Sequence, residues 1–170
     1  MKKIILSYLI LFAALFISKS SRAQTSQNST TYQTAVGLKF GGYENGPSIK
    51  YFVDNSVSLE GVLGFRAHGV VITGLYEFNL PAFNVAGLDF YYGAGVHIGS
   101  EGAGVYRTIG GNSQVYTSTH ILLGVDGVIG LEYKIPQAPI AISLDLDPRA
   151  ELATGPFFDI APGLGVKYTF

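Results

Sequence analysis

Cysteine is absent from all 170 residues. That excludes disulfides, thiolate metal sites and lipid attachment through a cysteine at an export-cleavage site. Charge is sparse, with Asp, Glu, Lys and Arg making up 14% of the chain. Beyond the amino-terminal region no segment reaches 18 consecutive apolar residues, so no membrane helix is encoded there. No long stretch repeats its apolar residues with the 3.6-residue period of an amphipathic helix. Only three histidines occur, His68, His97 and His120. They are scattered and lack a carboxylate at fixed spacing, which makes a poor metal site, and none stands in a His-x-Ser pattern. The glycine-rich stretches lack the strand–loop–helix context of a phosphate-binding loop, so no nucleotide role follows from them.

The amino terminus reads as an export signal. Lys2 and Lys3 precede the 14-residue apolar stretch from Ile4 to Ile17, and a polar segment then ends Ser21-Arg22-Ala23. Fourteen residues fall short of the roughly 20 that a helical span needs, so a cleaved signal over residues 1–23 is predicted. Residues 24–31 are rich in Ser, Thr, Gln and Asn and are expected to form a disordered lead-in. Residues 32–170 are expected to form a single domain. The 147 residues after the cut carry seven basic and twelve acidic side chains, a net charge of −5. Nucleic-acid binders usually present a basic face, so nucleic acid is not expected as a partner.

Beyond residue 32 the chain alternates apolar with small or polar residues in eight segments, 32–40, 48–53, 57–66, 70–78, 88–99, 121–134, 140–147 and 158–170. The last sets Phe158, Ile160, Pro162, Leu164, Val166, Tyr168 and Phe170 against Asp159, Ala161, Gly163, Gly165, Lys167 and Thr169. Alternation of this kind gives a strand two unlike faces. The fourth segment is apolar on both parities, and Glu77 tips Ile72, Tyr76 and Phe78 outward. Turns are expected at 41–47, 54–56, 79–87 and 135–139, with a polar loop at 148–156. Residues 100–119 are expected to form a long exposed loop.

Charge placement decides what the two faces meet. Lys39, Lys50, Glu60, Arg66, Asp89, Asp126, Glu132, Lys134, Asp145, Asp147, Asp159 and Lys167 all lie opposite the apolar parity. A soluble sheet with one wet face would alternate in the same way. The export signal, the final Phe and the aromatic residues near strand ends favour lipid instead. With odd strands running outward, Tyr32, Tyr51, Tyr76, Phe78, Phe90, Tyr133, Tyr168 and Phe170 fall at a periplasmic rim. Phe40, Phe65 and Phe158 then fall at an outer rim, two girdles as in membrane barrels. The fold class expected is all-β, an eight-stranded antiparallel up-and-down transmembrane β-barrel preceded by a signal peptide.

The alternation, the run Tyr92-Gly93-Ala94-Gly95 and the ending Gly163-Leu164-Gly165-Val166-Lys167-Tyr168-Thr169-Phe170 resemble small eight-stranded outer-membrane barrels. The resemblance is to the OmpX, OmpA-barrel and opacity-protein type, with the flavour of outer-membrane barrels of Bacteroidetes. It covers residues 32–170 and carries no catalytic motif. It implies the outer membrane of a Gram-negative bacterium and contact with outer-membrane lipids, including lipopolysaccharide. It also implies recognition by the barrel-assembly machinery through Phe170, and a monomer.

A barrel of eight strands is narrow enough for side chains to fill. The inward set mixes glycines with long charged residues, which leads us to expect a plugged polar network of Lys39, Glu60, Arg66, His97, Asp126, Glu132 and Lys167. His97 is expected inward, near Asp126 or Glu132, as a member of that network. In the long loop, Tyr106, Arg107, Ile109 and Tyr116 are contact candidates for an extracellular ligand, since Tyr and Arg are common interface anchors. The function expected is structural or interactional, through extracellular loops, with no catalytic activity and no cofactor. Three alternatives stay open: a narrow, porin-like or OmpW-like conduit, a lipid-modifying enzyme, and a soluble periplasmic lipocalin-like binder with its apolar face inward.

Overall fold

A computed structural model describes residues 32–41, 44–66, 68–107, 113–154 and 157–170. The export signal and lead-in expected over residues 1–31 lie outside the described residues. Among the described residues ten strands are formed: β1 (Thr34–Gly41), β2 (Asn45–Phe52), β3 (Val57–Arg66), β4 (Gly69–Pro81), β5 (Leu88–Glu101), β6 (Gly104–Arg107), β7 (Ser113–Tyr116), β8 (His120–Lys134), β9 (Ile140–Glu151) and β10 (Phe157–Thr169). Eight of them close into an all-antiparallel barrel in the order β1-β10-β9-β8-β5-β4-β3-β2, while β6 and β7 form a separate two-stranded sheet. Closure removes every sheet edge from the wall, because β1 hydrogen-bonds both to β2 and to β10. The seam is sealed at its base by Phe170 N–H donating to Thr34 O at 2.8 Å.

The pleat sorts the residues by face. In β4, Val70, Ile72, Tyr76, Phe78 and Leu80 are exposed, while Val71, Thr73, Leu75, Glu77 and Asn79 are buried. Register keeps apolar residues beside apolar ones around the wall: Ile72 pairs with Ile98, Ile98 with Leu123, and Leu144 with both Leu131 and Leu164. The exterior is a continuous apolar belt, and the interior holds nearly all of the charge. A soluble barrel has the opposite polarity, so the lipocalin-like alternative is excluded by which face is apolar.

Five local expectations are corrected. Tyr32 precedes β1 and turns into the barrel mouth, where it is 7% exposed and meets the Phe52 ring edge-on at 5.1 Å, instead of joining the girdle. Asn45, Gly46 and Pro47, read as turn, belong to β2, where Pro47 lies opposite Leu38. Asn79, Leu80 and Pro81, read as connection, continue β4 against β5. Residues 100–119, read as one loop, contain the β6–β7 hairpin. Finally, β9 runs on through Pro148 to Glu151. The ladder to β8 lapses at Asp147 and Pro148, where proline has no N–H to give, and resumes at Arg149. That continuation carries Arg149 and Glu151 inside.

The β4–β5 connection is strained. Phe83 and Asn84 have φ of 53° and 55°, and Val85 N–H donates to Ala82 O at 3.1 Å. Positive φ at both central positions is the signature of a type I′ turn, which favours Asn and Gly. A bulky Phe held there costs about 1–3 kcal/mol.

The charged lumen as candidate functional site

Inward positions on every barrel strand converge on one polar column. Nearest the end where β1 begins and β10 finishes, Lys167 Nζ lies 2.9 Å from Glu60 and 3.5 Å from Glu132. Lys50 Nζ lies 3.0 Å from Glu77 and 3.5 Å from Glu132. Asn79 accepts from Lys50 at 3.0 Å and donates to Ser58 at 2.8 Å, and the Ser58 hydroxyl donates to Glu77 at 3.0 Å. The Tyr32 hydroxyl donates to Glu132, capping this tier. Lys50 also sits 4.4 Å above the Tyr91 ring, a cation–π contact shielded from solvent.

At the next level Lys39 Nζ bridges Asp145 at 3.3 Å and Asp147 at 3.0 Å, and the Tyr91 hydroxyl donates to Asp145. The upper tier is a chain. Glu44 accepts from Arg149 Nη2 at 3.1 Å, Arg149 Nε donates to Asp126 at 2.6 Å, and His97 stands between Asp126 and Glu151, 2.9 Å from each. Each ring nitrogen of His97 faces a carboxylate oxygen, so both must donate for the pair to be satisfied. Above this chain Arg66 meets Glu101 at 3.1 Å.

Small residues make the column fit. A methyl group at Gly64 would lie 2.6 Å from Glu44 Cβ, and one at Gly130 would lie 2.8 Å from Tyr91 Cζ. Those glycines leave the volume into which Glu44 and Tyr91 project. Lys50, Lys167, Glu60, Glu77, Glu132, His97 and Glu151 are all almost fully buried. Bare charges buried to that degree would cost several kcal/mol apiece, and pairing offsets that cost.

The lumen residues singled out in the sequence are therefore distributed over four clusters. Glu60, Glu132 and Lys167 meet directly, His97 meets Asp126, Lys39 pairs with Asp145 and Asp147, and Arg66 pairs with Glu101 near the mouth. Sequence reading left Glu44, Lys50, Tyr32, Glu77, Tyr91, Asp145, Asp147, Arg149 and Glu151 out of the network. Parity was an available signal for four of these partners, because Asp145, Asp147, Arg149 and Glu151 fall at every second position, with Pro148 masking the continuation. Nothing in the sequence pointed to Glu44, which reaches back over the lumen from the β1–β2 turn.

Of the loop candidates, Tyr106 and Tyr116 stand together at the foot of the hairpin, 5.7 Å between ring centroids. Tyr116 stacks on His120 at 3.7 Å, and the Tyr106 hydroxyl donates to Gly102 O at 2.6 Å. Arg107 ends β6. Ile109 lies outside the described residues. Among the described residues no group of three or more His, Asp or Glu side chains is arranged to hold a metal ion.

No protein-family model matches the chain, and no curated protein does. Solved structures do. The N-terminal β-barrel domain of Pseudomonas aeruginosa OprF superposes with a TM-score of 0.63 at 20% identity, covering 82% of this chain and all of that domain. Neisserial surface protein A gives a TM-score of 0.44 at 13% identity, over 81% of this chain and 93% of that one. At such identity the first likeness is one of fold: the chain folds as a closed eight-stranded β-barrel similar to that domain.

Proposed function

We propose that the chain is a small outer-membrane barrel whose role is structural or interactional, carried by the wall and the hairpin and not by passage through its centre. The carrying observation is the pairing of an apolar exterior with a lumen crossed by paired charges at four levels. Turned to hydrocarbon, any of those charges would be costly, whereas on the axis each finds a partner. The OmpW-like conduit needs a clear apolar lumen, and Lys50, Lys167, Tyr91 and Arg149 obstruct this one. A lipid-modifying enzyme needs a nucleophile or base within reach of lipid, and His97 is enclosed between Asp126 and Glu151. Planar-bilayer recording of the refolded protein is expected to show no large, steady conductance, and such a conductance would reject the plugged lumen. Detergent-solubilised membranes should yield heat-modifiable gel mobility. A chain that stays folded and dissolved without detergent would remove the membrane placement altogether.

A surface role is favoured by the hairpin. Val105 and Val115 pair across β6 and β7 and are both well exposed, over the aromatic foot of Tyr106, Tyr116 and His120. With the strand ends near Thr34 and Thr169 in the periplasm, this hairpin stands outside the cell. Deleting residues 102–114 should leave the barrel intact and change cell adhesion or envelope-stress phenotypes. Unchanged phenotypes at normal surface levels would count against a binding role.

A further inference from the structure

One corner of the barrel differs from the others at its end. Beyond the last β3–β4 pair, Val57 with Phe78, Asn79 N–H still donates to Ser56 O at 2.7 Å, and strand β4 then continues through Leu80 and Pro81 along β5. The β4–β5 corner thus projects past the shorter β2–β3 corner on the same end of the barrel. The outward row Tyr76, Phe78, Leu80 leads directly to Phe83 and Val85 in the turn. Phe83 is 79% exposed. No charged residue occurs from Phe78 to Leu88, whereas the β2–β3 turn carries Asp54 and the β8–β9 corner carries Lys134. Phe83 also occupies a backbone conformation that suits Asn or Gly, so local backbone energy does not explain its presence.

We propose that the β4–β5 turn is a lipid anchor: Phe83, flanked by Leu80 and Val85, inserts at the border between headgroups and acyl chains of the adjoining phospholipid leaflet. The surface is continuous with the belt, where Phe78 stacks on Tyr92 at 5.5 Å and Tyr76 meets Phe78 at 5.3 Å. A phenyl ring without a hydroxyl suits the hydrocarbon margin of an interface, and the hydrogen bonds Ala82 N–H to Leu88 O and Leu88 N–H to Val85 O hold the turn in shape. This corner would set how deeply one side of the barrel sits. The inference rests on the lipid-facing reading of the belt given above.

The chain contains no tryptophan, so a single introduced Trp reports its own site. Three variants are compared in phosphatidylcholine vesicles with plain or brominated acyl chains: Phe83→Trp, Val96→Trp in the belt, and Asn55→Trp in the β2–β3 turn. The expected result is that Phe83→Trp emits to the blue of Asn55→Trp, is quenched by brominated lipid and resists acrylamide. If Val96→Trp is quenched by lipid while Phe83→Trp behaves like Asn55→Trp, the anchor is refuted and the belt stands. If Val96→Trp is also aqueous, the membrane reading itself fails. A blue shift at Phe83→Trp that disappears on dilution of protein into excess lipid would assign the turn to a second copy of this chain and overturn the proposal. Phe83→Asn supplies an independent check. It suits the turn, so it should raise the unfolding midpoint if the ring is idle in water, and lower it in vesicles if the ring is anchored.

Discussion

Lys167 illustrates how a single buried cation governs its surroundings. It faces Glu60 and Glu132, while Lys50 is shared by Glu77 and Glu132. In the lower and middle tiers, five carboxylates (Glu60, Glu77, Glu132, Asp145, Asp147) share three lysines. Loss of a lysine therefore leaves more uncompensated charge than loss of a carboxylate. Lys167→Met is expected to destabilise by about 3–5 kcal/mol, the range for breaking a buried pair, and Glu132→Gln by distinctly less. Equilibrium unfolding in urea with detergent micelles measures both, and an equal or reversed order would refute the charge argument. Gly64 makes a steric point at the same scale. Gly64→Ala pushes against the Glu44 side chain, for an expected loss of about 1–3 kcal/mol typical of overpacking. Glu44→Gly, which removes the Cβ as well as the rest of the side chain, should relieve much of the loss in the double variant.

If the belt faces lipid as proposed, the strands owe their facing to lipid on one side and to ion pairs on the other, and substitution effects should depend on depth. Leu144 sits mid-strand on the exterior of β9, and Ile121 is next to the start of β8. Leu144→Arg should cost about 2–4 kcal/mol in vesicles, and Ile121→Arg about 0–1 kcal/mol. Equal, negligible costs would indicate a face that water already wets. The hairpin is separable on different grounds. β6 pairs only with β7, and its foot is held by ring contacts to His120 and not by the barrel ladder. Its deletion should leave the thermal unfolding midpoint of the barrel nearly unchanged, as followed by far-ultraviolet circular dichroism.

At this scale sequence and structure also part company. Strand existence and facing were legible, even in β4, where Val71 and Leu75 look apolar on the inward parity and Glu77 alone broke the tie. Strand ends were not. Pro47, Pro81 and Pro148 read as stop signals, yet all three lie within strands. At Pro148 the cross-strand ladder lapses locally without ending the strand. The hairpin was invisible because its two strands are four residues each and carry glycine and polar residues.

In the whole molecule, a closed wall fixes which inward side chains face one another across the axis. The sequence by itself determined the architecture: a period of two over eight segments, with charge confined to one parity, admits a barrel with a polar interior and an apolar exterior. It also placed twelve charged positions on one shared face, because facing follows from local pleat, while barrel closure turned that face to the axis. Only the tertiary structure decided the partners. Lys167 with Glu60, Lys39 with Asp145 and Arg149 with Glu44 join residues roughly a hundred positions apart, and Arg149 with Asp126 joins direct cross-strand partners on adjacent strands. Those pairings depend on strand stagger and on the seam between β1 and β10. Alternation along one strand carries no information about stagger, since shifting a whole strand by two residues preserves every facing while exchanging every cross-lumen neighbour.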